Sequence, residues 1–328
     1  MTELYPLLFE PVLKHYIWGG RNLEKFGRDL PDHQRVAEIW EIASHADGMS
    51  VISNGRFAGK TLPQLLALLG DDLVGKNNQW ALDRGIFPIM VKLLDAEKRL
   101  SVQVHPDDAY ALKHEGNELG KAEMWVVLAA DPDAAIIYGF SQTTTPEEFK
   151  QAIRSGSLEP FLNRLPIQAG DHICVPPGTL HAILEGAVLV EIQQNSNITY
   201  RVYDWNRTDD QGYARPLHIE QALQVINFNQ INPRLPQPKV IESSAQIKRE
   251  RLCQNQYFTT ERIAFHKKGE LLGQCNGSSL EIWGALSGQA RIADVVIAET
   301  RFCLLPASLG DFHVEADPDS VLIRVLTA

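Results

Sequence analysis

The stretch "GDHICVPPGTLHAILE", Gly170 to Glu185, decides the fold. Its first part is short, apolar and β-branched, the pattern of a strand. Pro176-Pro177-Gly178 then ends it, because proline cannot donate to a strand ladder and glycine accepts the left-handed backbone of a tight turn. The next strand opens with His181, so the turn delivers an imidazole to a strand head. Alone, such a histidine is usually a hydrogen-bonded packing residue. Partners of compatible chemistry turn it into a candidate metal ligand.

The partners lie upstream. In "LSVQVHPDDAY", Leu100 to Tyr110, side chains of a strand alternate faces. Val102 and Val104 point into a core, and Gln103 and His105 share the other face. In "GKAEMWVV", Lys121, Glu123 and Trp125 share a face. These segments resemble the cupin pattern of a His-x-His followed by a Glu, which implies that two imidazoles (His105, His181), one carboxylate (Glu123) and one amide (Gln103) converge from three strands. Mixed nitrogen and oxygen donors of this type suit Zn²⁺, and also Co²⁺, Ni²⁺, Fe²⁺ or Mn²⁺. With one anionic ligand, a divalent ion keeps a net charge of about +1, enough to stabilise an oxyanion.

The rest of the sequence sets bounds. At 328 residues, 44% hydrophobic and 22% charged, the chain is long enough for two globular units. A net charge of −10 argues against nucleic acid and anionic membrane surfaces as partners, though not against a small anionic substrate held by local Lys and Arg. The four cysteines, Cys174, Cys253, Cys275 and Cys303, form no C-x-x-C pair and read as reduced thiols. The opening "MTELYPLLFEPVLKHYIWGG" has no basic flank before an apolar run and is not a signal peptide. No apolar run approaches the ~20 residues of a membrane helix. A soluble, cytoplasmic protein is expected.

Helix signals are few. "TLPQLLALLG" pairs Thr61 with Gln64 as a capping box, and "TPEEFKQAIRSG" pairs Thr145 with Glu148 behind Pro146. "PDDAYALKHEG" and "PLHIEQALQVINF" are shorter candidates. Elsewhere short β-branched and aromatic runs are punctuated by Gly, Pro and Asn, and no glycine-rich phosphate loop is present. Proline-rich "NPRLPQPKVIESS", from Asn232, reads as a linker. The expected architecture is mainly β: a metal-binding catalytic unit over residues 1–235 with inserted helices, then a smaller β unit over 236–328.

The Gly170–Glu185 spacing resembles the second motif of the cupins, double-sheet jelly-roll β barrels with a metal in the barrel mouth, with Glu185 where the motif usually ends in Asn. Two cupin-like barrels are thus expected, and "GDFHVEA" in the second lacks the Pro-x-Gly-x-x-His delivery of a ligand. Six segments in order, "YIWGG", "AEIWEIASH", "LSVQVHPDDAYA", "GKAEMW", "VPPGTLHAI" and "QQNSNITYRVYDWNR", resemble the type I mannose-6-phosphate isomerases in their short bacterial form. Composition and periodicity alone reach only a metal-binding double β barrel.

The resemblance implies a zinc enzyme interconverting mannose 6-phosphate and fructose 6-phosphate through a cis-enediol. It places Gln103, His105, Glu123 and His181 as metal ligands, Arg201 beside the reacting carbons and Lys121 in the active site. Ser101, Lys92 and Arg207 match its phosphate-binding positions. Glu191, on one strand face with Gln193 and Asn195, is a candidate base, with a metal-bound water as its rival. One position departs: Asn197 stands where the family commonly has Asp, so any acid–base role there is in doubt. Two rival readings remain at this level, an Fe²⁺ cupin dioxygenase using His105, Glu123 and His181, and a non-catalytic sugar-phosphate-binding cupin. Nothing in the sequence specifies an oligomer.

Overall fold

A computed structural model describes residues 4–208 and 211–327. The first unit is two antiparallel sheets laid face to face. One has six strands, in the order His172–Val175, Glu123–Ala130, Ala187–Gln194, Ile89–Ala96, Glu38–Ile42, Val12–Lys14. The other has five, in the order Leu162–Pro166, Ala135–Phe140, His181–Ile183, Val102–Val104, Tyr200–Tyr203. The mainly β, double-sheet expectation holds, but the sheets are not closed barrels: no strand is shared between them.

Alternation sorts the side chains. Val102 and Val104 face outward with Ile137, Phe140 and Val202, under the helices Pro146–Ser155 and Ile219–Val225. On the larger sheet Leu94, Trp125, Val127 and Leu189 face inward, and Val91, Leu93, Val126 and Val190 face outward. All eight residues of Ile89–Ala96 are buried, as a strand covered on both faces requires. The helix Leu62–Leu69 begins on the Thr61–Gln64 capping box, and Pro146–Ser155 on the Thr145–Glu148 box. Two short helices, Asp71–Val74 and Gln79–Arg84, carry no cap that the sequence reading recognised.

Beyond the proline-rich stretch a six-stranded sheet (Lys239–Ser243, Ile247–Gln254, Phe258–Phe265, Val321–Thr327, Glu281–Ser287, Phe302–Leu305) faces a four-stranded one. The two large sheets share an apolar layer. Val91, Leu93 and Val190 belong to one cluster with Leu65, Leu73, Phe258, Leu304 and Val325. Leu7 also exchanges two backbone hydrogen bonds with Leu304, at 2.8 and 3.0 Å.

The second unit repeats part of the first. Glu38-Ile39-Trp40 has a counterpart in Glu281-Ile282-Trp283, and each indole N–H donates to the glutamate two residues before it. Across the ladder, Trp40 pairs with Lys92 and Lys92 with Glu191; Trp283 pairs with Arg324 and Arg324 with Glu261. One step further, Glu123 lies opposite Gln193, whereas Arg249 lies opposite Ile263. A guanidinium thus stands where the first unit has its candidate carboxylate ligand.

Cys174 and Cys253 correct the reading of the cysteines. They form a disulfide with a Cα–Cα distance of 5.9 Å, joining the strand next to Glu123–Ala130 to the second unit. Their separation of 79 residues hid the pair, because sequence spacing does not report strands brought together by sheet packing. Cys275 and Cys303 are free and buried. No helix among the described residues is long and apolar enough to cross a membrane.

Candidate metal centre and substrate cavity

The smaller sheet builds a row across its inner face. Tyr138 pairs with His181, His181 with Gln103, and Gln103 with Arg201. Gly178 fixes this row to the turn before it. Its φ is +83°, a Cβ there would lie 2.8 Å from the Val225 carbonyl, and its N–H donates to the His105 carbonyl at 2.9 Å. Only glycine fits, and the Pro-Pro-Gly turn thereby holds His105 and His181 together.

His105, Glu123 and His181 offer ligand atoms that all lie within 4.8 Å of one another, and each residue is buried. His181 Nε2 is 3.2 Å from Glu123 Oε1, and His105 Nε2 is 3.5 Å from Glu123 Oε2. His181 Nδ1 lies 2.9 Å from the Thr179 carbonyl, which assigns the proton to Nδ1 and the lone pair to Nε2, inside the site. Burial holds His181 at about 4, and burial with Lys121 and His181 holds His105 well below its ordinary value. Both imidazoles are therefore neutral at pH 7, as ligation requires. Buried Glu123 Oε1 has no hydrogen-bond partner, and Glu123 Oε2 faces Lys121 Nζ. A buried carboxylate oxygen without a donor is costly, so Glu123 Oε1 facing the His181 Nε2 lone pair fits a cation between them. Gln103 joins the group through Nε2, 3.3 Å from His181 Nε2, while its Oε1 accepts from Ser101 Oγ. Turning the amide over presents its oxygen to the centre instead.

Behind the ligands runs a chain of alternating charge. Lys121 Nζ is 2.8 Å from Glu123 Oε2 and 3.9 Å from Glu191 Oε1. Lys92 Nζ is 3.7 Å from Glu191 Oε2 and 3.4 Å from Glu38 Oε2, and lies over the Trp40 ring. The Trp125 indole donates to Glu191 Oε1 at 3.1 Å. Burial raises the proton affinity of Glu191, but Lys121 and Lys92 outweigh it and hold the carboxyl low. Burial pushes Glu123 up, with Lys121 offsetting part of the rise. Burial also opposes the charge on Lys121, but Glu123 and Glu191 more than restore it, so its pKa is raised.

The centre opens into a cavity of about 280 Å³ whose lining includes Lys92, Ser101, Gln103, Lys121, His181, Glu191, Asn197, Arg201 and Arg215. Seven of the residues singled out from the sequence thus line one cavity, Lys92, Ser101, Gln103, Lys121, His181, Glu191 and Arg201, while His105 and Glu123 lie behind it. Arg207 does not line it. Its Nε and Nη2 donate to Asp204, and its Nη1 to the Arg99 carbonyl. Sequence reasoning missed Glu38, Tyr16 and Arg215 on the cavity wall; only the alternation in Glu38-x-Trp40 offered a signal. Asn197 Nδ2 donates to Asp47 Oδ2 at 2.6 Å, so a carboxylate from the Ser44–Met49 hairpin region stands beside the departing position. A larger cavity, about 590 Å³, lies behind Glu123 against Tyr110, Tyr257 and the disulfide. Asp107 lines it without any Lys or Arg, so it does not suit a sugar phosphate.

Comparison with known proteins decides the family. The chain is 40% identical over 324 residues to the probable mannose-6-phosphate isomerase GmuF of Bacillus subtilis, covering 95% of this chain and 96% of that one. The chain belongs to the type I phosphomannose isomerases. The family's catalytic-domain model matches residues 7–134. Mannose-6-phosphate isomerase ManA of B. subtilis is 36% identical, over 97% of this chain and 98% of that one. The crystal structure of the mannose 6-phosphate isomerase from B. subtilis superposes with a TM-score of 0.86 at 33% identity, over 98% and 99% of the two chains. A putative mannosephosphate isomerase from Archaeoglobus fulgidus, at 21% identity and a TM-score of 0.75, shares the fold.

Proposed function

We propose that this chain interconverts mannose 6-phosphate and fructose 6-phosphate through a cis-enediol, with Zn²⁺ held by Gln103, His105, Glu123 and His181. The observation that carries this reading is the opening of the converging ligand set into a cavity lined by Arg201, Lys121 and Glu191. The relatives' activities favour it over a dioxygenase or a non-catalytic binding protein. Residues 1–235 carry the chemistry, and 236–328 cover the outer face of the larger sheet.

A bound divalent ion supplies positive charge for the oxyanion that develops as the carbonyl enolises. The protein supplies the rest. Glu191 receives the proton that moves between C1 and C2. It is ionised at neutral pH, as a base must be, yet Lys92 and Lys121 weaken it as a base. A dianionic substrate offsets those lysines and so strengthens Glu191 when it is needed. Lys121 offsets the repulsion between Glu123 and Glu191, and Arg201 stabilises charge on the reacting oxygens. Ser101, whose Oγ accepts from Arg201 Nε at 3.2 Å, marks the phosphate end. Lys92, already facing two carboxylates, serves that end through its charge.

Proton NMR in D₂O tests this reading. Deuterium should enter C2 of mannose 6-phosphate and C1 of fructose 6-phosphate, and Glu191→Gln should abolish the exchange. Isomerisation with no solvent exchange in the wild type and undiminished rate in Glu191→Gln would contradict it.

A further inference from the structure

We propose that Arg215, braced by Asp204, is the residue that anchors the substrate's phosphate beside Arg201 and Ser101. The inference rests on the isomerase reading and assigns a specificity role to a loop residue outside every motif described above.

Three guanidiniums gather at this end of the cavity, and their hydrogen bonds separate their roles. Arg207 spends all three of its nitrogens on Asp204 and the Arg99 carbonyl and does not line the cavity. Arg215 does line it. Its Nε and Nη2 grip Asp204 Oδ2 and Oδ1 at 2.8 and 2.6 Å, a two-point clamp on one edge of the guanidinium. Nη1 has no hydrogen bond among the described residues. Arg201 is tied to the same loop, because its Nη1 donates to the carbonyl of Pro216 at 3.0 Å and its Nε to Ser101 Oγ at 3.2 Å. The two guanidiniums are thus presented together, next to a hydroxyl, over one cavity.

Charge points the same way. Among the described residues, Arg207 and Arg215 both pair with Asp204, which is 6% exposed, and Arg201 lies close enough to feel its charge. Among the described residues the local surplus is positive, in a chain whose net charge is −10. A phosphate monoester dianion matches that surplus; a neutral hexose does not. Burial and the neighbouring Arg215 both work against the charge on Arg201. An anion between the two relieves that repulsion, so binding is favoured over leaving the pair empty. Asp204 is a positioning residue: its carboxylate fixes the edge of Arg215 that faces away from the ligand.

Inorganic phosphate, titrated calorimetrically into the metal-loaded protein, reads the site without turnover. Wild type should bind it, and Arg215→Ala should weaken binding 10-fold or more, with Arg215→Lys intermediate. In steady-state assays Arg215→Ala should raise KM for mannose 6-phosphate by a similar factor and change kcat by less than 5-fold. Asp204→Asn should raise KM less, again with kcat nearly kept. Native-like circular dichroism and metal content certify each variant, and Arg215→Lys serves where the alanine variant fails to fold. Unchanged phosphate binding and KM in folded Arg215 variants would overturn the assignment, and so would a loss confined to Arg207→Ala. If wild type binds phosphate but does not turn over mannose 6-phosphate, the isomerase reading fails while the anion site stands.

Discussion

Lys121 Nζ lies 2.8 Å from Glu123 Oε2 and 3.9 Å from Glu191 Oε1, so one buried ammonium joins the proposed metal ligands to the carboxylate behind them. Breaking a buried ion pair by removing one partner costs ~3–5 kcal/mol, because the other charge stays behind. Lys121→Met leaves two buried carboxylates facing each other. It is expected to lower kcat by 100-fold or more and to lower the melting temperature, while the two histidines still hold metal. Rate assays with metal analysis of the same sample check both halves.

Asn197 holds Asp47 at 2.6 Å, and Asn195 holds both backbone polar groups of Ser44. Asn197→Asp puts two carboxylates in contact. Unlike a gain of function, the expected outcome is a 3- to 10-fold loss in kcat/KM, recovered in the double variant Asn197→Asp, Asp47→Asn. A rate increase in the single variant would show that position 197 lacks a needed carboxylate.

Asp204 gives a pH dependence with a definite sign. Burial raises its proton affinity, but its hydrogen bonds to Arg215 and Arg207 outweigh burial and hold it below the ordinary value of 3.8. A depressed carboxyl stabilises the fold fully above its unfolded value and loses that contribution as pH falls through the folded one. The stability contribution is thus constant at neutral pH and lost below 3.8. Urea unfolding from pH 7 to 3 should show a shallower acid loss in Asp204→Asn than in wild type.

The disulfide is counted directly. Unfolded under non-reducing conditions, oxidised protein should titrate for the two free thiols, Cys275 and Cys303, and for Cys174 and Cys253 as well after reduction. Closing a long loop stabilises a fold by ~2–4 kcal/mol, so reduction should lower the melting temperature by several degrees. Four thiols before reduction would show the pair to be open.

What the sequence revealed follows from the reach of its signals. Period-two alternation around Gln103 and Glu123, and the turn before His181, are local, and they put all four proposed ligands on inner faces. The capping boxes at Thr61 and Thr145 are equally local and mark the two helices where they begin. The Cys174–Cys253 pair, the Asp47–Asn197 contact and the meeting of Arg215 with Arg201 all depend on how separate segments pack, which no short window encodes. Arg207 shows the converse: its motif position was legible, but whether its donors face the cavity or brace Asp204 was not. The Glu-x-Trp repeat was visible twice, but its meaning needed the ladder register that sets Arg249 where Glu123 stands.

One measurement bears most directly on the central claim. Conversion of mannose 6-phosphate to fructose 6-phosphate is followed before chelation, after it, and after Zn²⁺ is returned, in wild type and in Glu123→Gln. Activity that chelation abolishes and Zn²⁺ restores in wild type, but not in Glu123→Gln, is the predicted result. Full activity in demonstrably metal-free protein, or none in folded and zinc-loaded wild type, would contradict it.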